Sequence, residues 1–201
     1  MKDRFIYHYR RSRSLLQRGL RSIRIRGLKA SLAMISPGLK QPRAGQKLYF
    51  PNLAELENLA VADFRCEHPR VSLIIPIHNK LELTKACLAS VLLHRSGIAF
   101  EVIVVDDASS DTSFEFLSSI QGLRVFRIPE QSGYVFASNH GARQARGEIL
   151  VFLNNDTVVQ KDWLQNLLNT FKQFPDTGIC GAKLLYPNGQ LQEAGGAVFR
   201  D

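Results

Sequence analysis

The chain has 201 residues, 45% of them apolar, with 26 Lys and Arg against 18 Asp and Glu and a formal net charge of +8. That length and apolar content supply one well-buried core and an appendage. No apolar run approaches the roughly 18 residues of a membrane-spanning helix, and "MKDRFIYHYRRSRSLLQRGL" lacks the apolar stretch of a secretory signal.

The charge is unevenly spread. Residues 1–50 hold 13 Lys and Arg against the single acid Asp3, a balance of +12, and the remaining 151 residues balance at −4. A basic arm therefore precedes a mildly acidic domain, with the boundary placed at 69/70. Cys66, Cys87 and Cys180 are scattered and outside any CxxC spacing. They suggest neither a disulfide framework nor a zinc site, and fit a reducing cytoplasm. Cys87 and Cys180 read as buried structural thiols.

In chain order, Leu15, Leu16, Leu20, Ile23 and Leu28 recur at near-helical spacing among six arginines, which predicts a helix over Arg10–Leu32. "SPGLKQPRAGQ" reads as a linker, and "NLAELENLAVADF" as a second short helix. From residue 71 the alternation is regular. "VSLIIPI" is a strand; "KLELTKACLASVLLH" a helix with Leu83, Ala86, Cys87, Val91 and His94 on one stripe; "FEVIVVDD" a strand. "DTSFEFLSSI" is a helix capped by Ser110 or Asp111, "LRVFRI" a strand, and Val135–Ala145 a helix. "EILVFLN" is a strand. Trp163, Leu164, Leu167, Leu168 and Phe171 mark one face of a further helix, and "GICGAKLLY" closes as a strand. Near-continuous apolar strands separated by helices predict an α/β fold, a mostly parallel sheet with helices on both faces.

Three of these strands end on polar clusters: "PIHN", "DDASS" and "NNDT". In open sheets of this kind ligands bind outside the carboxyl ends of the strands, so the clusters belong to one cleft if the strand order brings them together. No GxGxxG or P-loop pattern follows any strand, and "PIHNKLEL" contains no glycine, which argues against dinucleotide dehydrogenases, P-loop enzymes and sugar-nucleotide pyrophosphorylases. Where backbone amides do not cradle phosphate, a divalent cation on a carboxylate substitutes, and Asp156 at a strand end suits that role.

Taken together, "VSLIIPIHN", "EVIVVDDASSDTS", "SGYVFASNHGARQARGEILVFLNNDTVV" and "GGAVFRD" resemble the family 2 glycosyltransferases with a GT-A fold, over about residues 70–201. The look is nearest to the bacterial polysaccharide and rhamnosyltransferase-like branch. The resemblance implies transfer of a sugar, with inversion, from a nucleoside-diphosphate sugar (UDP- or dTDP-linked favoured) to a glycan or lipid-linked acceptor in cell-surface polysaccharide synthesis. It places Pro76, Ile77 and His78 around the nucleotide base, with His78 where many relatives have Tyr. Asp107 matches the acid that accepts the imide N–H of the base, and Asp106 supports the loop. "NND" occupies the DxD site: Asp156 matches the ligand of Mg²⁺ or Mn²⁺, and Asn154, in place of the first Asp, is left to bond ribose. Gly133 and Asn139 fall in the segment under the sugar-nucleotide, and Arg143 is a weaker phosphate candidate.

Each motif has a plainer reading. Taken alone, Asp106–Asp107 before Ala-Ser-Ser is a strand-ending turn with a helix cap, and Asp156 a turn residue. His94 and His140 read as ordinary helix residues, Glu193 and Asp201 receive no role, and Gly195–Gly196 read as a turn or a close approach. The family's general base is expected beyond Asp201, so a non-catalytic sugar-nucleotide-binding remnant is the alternative. The basic arm has three readings: a helix over residues 10–32 on an anionic membrane surface, a domain connector, or, least favoured, a nucleic-acid contact. The expected location is cytoplasmic, peripheral to the inner face of the membrane under the first reading.

Overall fold

The computed structural model describes residues 48–95 and 97–194. The helix expected over Arg10–Leu32, the linker, Gly195–Gly196 and Asp201 lie outside the described residues. The chain divides into a unit spanning Leu48–Cys180 and a second containing the segment from Gly181 onward.

The first unit opens with α1 (Leu53–Glu57), begun by a capping box in which Asn52 and Glu55 each bond the other's backbone N–H, and a 3₁₀ turn (Asn58–Val61). Leu59, Ala62 and Phe64 from this segment are buried in the main core. The part of the chain read as arm and linker therefore contributes to the core from Leu56 onward.

There follow β1 (Val71–Ile77), α2 (Leu81–Leu93), β2 (Phe100–Asp107), α3 (Ser113–Ser118), β3 (Arg124–Ile128), α4 (Tyr134–Gln144), β4 (Ile149–Phe152) and α5 (Trp163–Gln173). The four strands form one all-parallel sheet in the order β3-β2-β1-β4. This is the α/β architecture expected. Every residue of β1 and β2 is buried, as strands covered on both faces require.

Strand alternation sorts the core. Val71, Leu73, Ile75, Ile77, Val102 and Val104 fill the larger cluster, together with Cys87, Leu88 and Val91 of α2, Leu117 of α3, and Leu164 and Leu168 of α5. Ile103, Val105 and Ile128 face the other way, against Ala137 of α4. A Cβ added at Gly141 would lie 2.6 Å from Ile74 Cγ2 and 3.0 Å from Val105 Cγ2, so only glycine admits this close approach of α4.

At the sheet end away from the strand C-termini, the buried Glu101 is bonded by Ser72 Oγ (2.6 Å), Arg146 N (2.7 Å) and Arg124 Nη1 (2.7 Å). Gly147 N donates to Ser72 Oγ at 2.9 Å, so one buried carboxylate fixes the passage from α4 into β4. Burial alone would raise the Glu101 pKa; the hydrogen bonds and the Arg124 charge override it and hold the carboxyl below its ordinary range.

Two local expectations are corrected, and a third, the cap of α3, is met by Asp111 rather than Ser110. The buried side of α2 is Thr84, Cys87, Leu88 and Val91, whereas Leu83 is exposed, because α2 turns a small polar residue toward the loop after β4. At α3 the residue preceding the helix is Thr112, which makes no side-chain cap; Asp111 Oδ1 instead accepts Ser113 N at 3.0 Å. "GICGAKLLY" does not extend the parallel sheet. Only β5 (Leu184–Leu185) is strand, paired antiparallel with β6 (Leu191–Glu193) in the second unit. The turn "YPNG", closed by Gly189 N to Tyr186 O at 2.8 Å, makes this a hairpin.

Candidate functional site

The strand order places the ends of β2, β1 and β4 side by side, so the three polar clusters lie along one edge of the sheet. Strand order reverses between β1 and β4, which makes the gap between His78 and Asn154 the topological switch point. The long helices α2 and α4 also begin at this edge; the Asp111 carboxylate already accepts Leu81 N at the start of α2 (3.4 Å), and the positive dipole end of α4 favours an anion there.

Backbone strain concentrates at the same place. Asn79 (φ 58°), Lys80 (φ 61°) and Ala108 (φ 56°) are non-glycine residues in the left-handed region, two at the end of β1 and one just past β2. Each costs roughly 1–2 kcal/mol against an ordinary conformation, so the surroundings must over-determine it.

They do so through hydrogen bonds. Asn79 N donates to Ser109 Oγ at 2.7 Å, and Asn79 Oδ1 accepts Ser110 N at 2.8 Å and Asp111 N at 3.2 Å. The His78 ring meets Asp107 O through Nδ1 at 2.7 Å. The loops after β1 and β2 thus form one bonded assembly.

The two adjacent acids divide the work. Asp106 is fully buried; its Oδ1 accepts Ser109 N at 3.0 Å, and Oδ2 faces Arg127 Nε at 3.4 Å without a well-aligned hydrogen bond. Arg127 also donates to Ser109 O at 2.8 Å, so Asp106 and Arg127 clamp the loop from below. Asp107 points to the α4 side, where its oxygens accept Ser132 N (2.7 Å) and Gly133 N (2.8 Å). Gly133, at φ 87° and ψ 166°, adopts a conformation open essentially to glycine alone and starts α4 from it.

The loop after β4 rests on α2. Asn155 Nδ2 donates to Thr84 Oγ1 at 3.0 Å, and the Cys87 thiol faces Asn154 O at 3.7 Å. With Asn155 turned inward, Asn154 and Asp156 are left exposed on either side of it. Burial, reinforced by the Asp156 carboxylate, pushes the Cys87 thiol up to about 12, so it remains protonated and able to donate.

The remaining sequence-derived residues sort by exposure. Ile77 is buried in the main core and Pro76 pairs with Val105 on the opposite face, so both shape the strand end. His78 is exposed, as are Asn139 and Arg143 on α4. His94 ends α2 edge-on to Tyr49, and His140 lies against Phe126. Sequence reasoning passed over Asn79, Thr84, Ser109 and Arg127. Only the strained "HNK" following a buried strand hinted at any of them.

Among the described residues no three His, Cys, Asp or Glu side chains cluster as a cage for a metal ion. An exposed Asp156 fits the other mode, in which one carboxylate holds Mg²⁺ or Mn²⁺ and ligand phosphates and water complete the shell. No described helix is long and apolar enough to cross a membrane.

The chain is 33% identical to the O-antigen biosynthesis protein RfbC of Myxococcus xanthus over 154 residues, covering 72% of this chain and 12% of RfbC. It is 33% identical to the glycosyltransferase AglE of Haloferax volcanii over 130 residues, 60% of this chain and 42% of AglE. Among solved structures, the mannosyltransferase PcManGT of Pyrobaculum calidifontis, in complex with GDP-Man and Mn²⁺, matches at 27% identity and a TM-score of 0.46. That match covers 55% of this chain and 34% of PcManGT. This chain therefore spans less than half the length of each of these relatives. The model of glycosyl transferase family 2 matches residues 72–194, more than half of the sequence, and the chain belongs to that family.

Proposed function

We propose that residues 70–201 form the donor-binding part of a glycosyltransferase that uses a nucleoside-diphosphate sugar, UDP- or dTDP-linked by preference, in bacterial surface-polysaccharide synthesis. The observation that carries this reading is the edge at the switch point of a parallel sheet, where the loops after β1 and β2 are hydrogen-bonded together beside the end of β4. The O-antigen role printed for RfbC supports the polysaccharide context.

Under this reading the base lies against His78, with Asp107 accepting its imide N–H through lone pairs not engaged by Ser132 and Gly133. Asn154 bonds ribose. Gly133 and Asn139 line the underside of the sugar-nucleotide, and Arg143 and the N-terminus of α4 offset diphosphate charge. Asp156 would hold Mg²⁺ or Mn²⁺, which when bound neutralises the diphosphate as it becomes the leaving group. The acceptor hydroxyl attacks the anomeric carbon as the bond to the diphosphate oxygen breaks, with inversion, and its proton passes to a carboxylate base. A glycan or lipid-linked acceptor and a peripheral membrane position for the basic arm, residues 10–32, belong to the same proposal.

A thermal-shift panel of UDP, dTDP, GDP and ADP, each with and without Mn²⁺, tests it. Ligand at about 100 times its Kd adds roughly 2.7 kcal/mol, on the order of 5–10 °C for a domain of this size. A Mn²⁺-dependent shift preferring UDP or dTDP supports the reading. A cooperative melt unmoved by every nucleotide contradicts it, and binding without transfer from any donor leaves the non-catalytic module.

A further inference from the structure

Hydrogen-bond directions around His78 and Asn79 can be assigned without reference to any ligand. Ser110 N and Asp111 N can only donate, and both point at one side-chain atom of Asn79, 2.8 and 3.2 Å away. That atom must be the amide oxygen, Oδ1, a placement reinforced by Ser110 Oγ at 3.2 Å. The other atom is therefore the NH₂ group, and it lies 3.2 Å from His78 Nε2. Since the NH₂ donates, Nε2 must accept. At the far side of the ring, Nδ1 lies 2.7 Å from Asp107 O. A carbonyl oxygen only accepts, so Nδ1 carries the proton.

Both contacts demand the same tautomer, and it is the one that a free imidazole disfavours. A ring nitrogen's proton is set by the bond made at the other nitrogen, and here each is set independently. With both nitrogens bonded to protein groups, what the exposed His78 can still offer a ligand is its ring.

We propose that Asn79 is a positioning residue: it fixes His78 as the Nδ1–H tautomer in a set orientation and so converts the imidazole into a stacking surface for the heterocycle of a bound nucleotide. The inference rests on the donor-site reading for the identity of the ligand, while the tautomer itself does not. The left-handed φ of 58° at Asn79 belongs to the same device. Asparagine tolerates that region better than most residues, and there its amide bridges the β2 loop and the ring of its own neighbour.

The test has two arms. In the ligand-free, unmodified chain, ring ¹⁵N shifts of His78 are read by NMR, with the signal identified among the five histidines by its loss in His78→Phe. A protonated Nδ1 and bare Nε2 are expected; the reverse would overturn the proposal. Asn79→Asp keeps an oxygen for Ser110 N and Asp111 N but turns a second acceptor on Nε2, and should bring a proton to Nε2. An unchanged tautomer in that variant would also overturn it.

In the second arm UDP affinity is measured by calorimetry. His78→Phe keeps a face but loses both bonds that orient it, and should bind UDP more weakly than the unmodified chain and more tightly than His78→Gln. His78→Gln keeps polar atoms and no face, and should weaken binding about tenfold, the scale of one base–aromatic stack. Tight binding by Gln with loss in Phe, or equal binding by both, would show that the ring does not act through its face. If the unmodified chain binds no nucleotide, the donor-site reading fails, and the NMR arm still decides whether Asn79 sets the tautomer.

Discussion

The carboxylate of Asp107 accepts the backbone N–H of Gly133 at 2.8 Å, so the last residue of β2 holds the first turn of α4. Its other oxygen holds Ser132 N at 2.7 Å. A residue expected to face a base is thus also the fastening of the segment expected to lie beneath the sugar.

Asp107→Asn should expose that double role. One oxygen is replaced by an NH₂ group facing an N–H donor, which removes a charge-assisted bond worth about 2 kcal/mol. Stability in urea should fall by about that amount, with UDP affinity weakened at least about tenfold. A variant with unchanged urea midpoint and affinity would show that neither role operates.

Gly141→Ala should be destabilising although alanine favours helix. The added methyl meets Ile74 Cγ2 at 2.6 Å, and overpacking of this kind costs about 1–3 kcal/mol against a propensity gain of about 1 kcal/mol. A net loss of about 1 kcal/mol by urea unfolding is expected, and a stabilised variant would contradict the close packing of α4.

Glu101 gives the fold an acid sensitivity of known sign. Its folded pKa is held below the ordinary value, so its stabilisation is complete above the unfolded pKa of about 4.3 and is lost as pH falls through the folded one. Glu101→Gln should be about 3 kcal/mol less stable at pH 7, because Arg124 is left unpaired against the sheet. The gap between the two proteins should close below about pH 4. A gap that persists in acid would place the cost in packing rather than charge.

Cys87 predicts the opposite slope at high pH. Its thiol is raised to about 12 in the fold, against about 8.5 when unfolded, so folding stability contributed by this group declines as pH rises above about 8.5. At pH 8 the native thiol should resist iodoacetamide for as long as the chain stays folded, while the urea-unfolded chain reacts at once. Rapid native labelling, traced to Cys87 by peptide mapping, would contradict its burial.

The strands were legible because β1 and β2 are buried on both faces and so read as near-continuous apolar runs. Their polar ends stood out for the same reason, since His78, Asp106 and Asp107 break those runs abruptly. The order β3-β2-β1-β4 has no local signal, as it arises from how the helices cover the sheet, and it alone brings Asn154 beside His78. The supports of the site were hidden in the same way. Thr84 is an unremarkable helix residue until Asn155 bonds it from 71 positions away, and Ser109 until Asn79 does from 30. The hairpin at Leu184–Glu193 was a different kind of miss, because the Asn-Gly of "YPNG" announces a tight turn that an apolar reading of "GICGAKLLY" overrode.

Under the proposed function, this edge of the sheet binds a nucleoside diphosphate through Asp156 and a divalent cation. Calorimetric titration of UDP into the full chain, with and without Mn²⁺, and into Asp156→Ala, tests it most directly. Binding should weaken at least about tenfold when Mn²⁺ is withheld, and the Asp156→Ala variant should fold normally yet gain nothing from the metal. Equal Mn²⁺-dependent binding by the variant would remove Asp156 from the site, and tight metal-independent binding would contradict the cation's part in it.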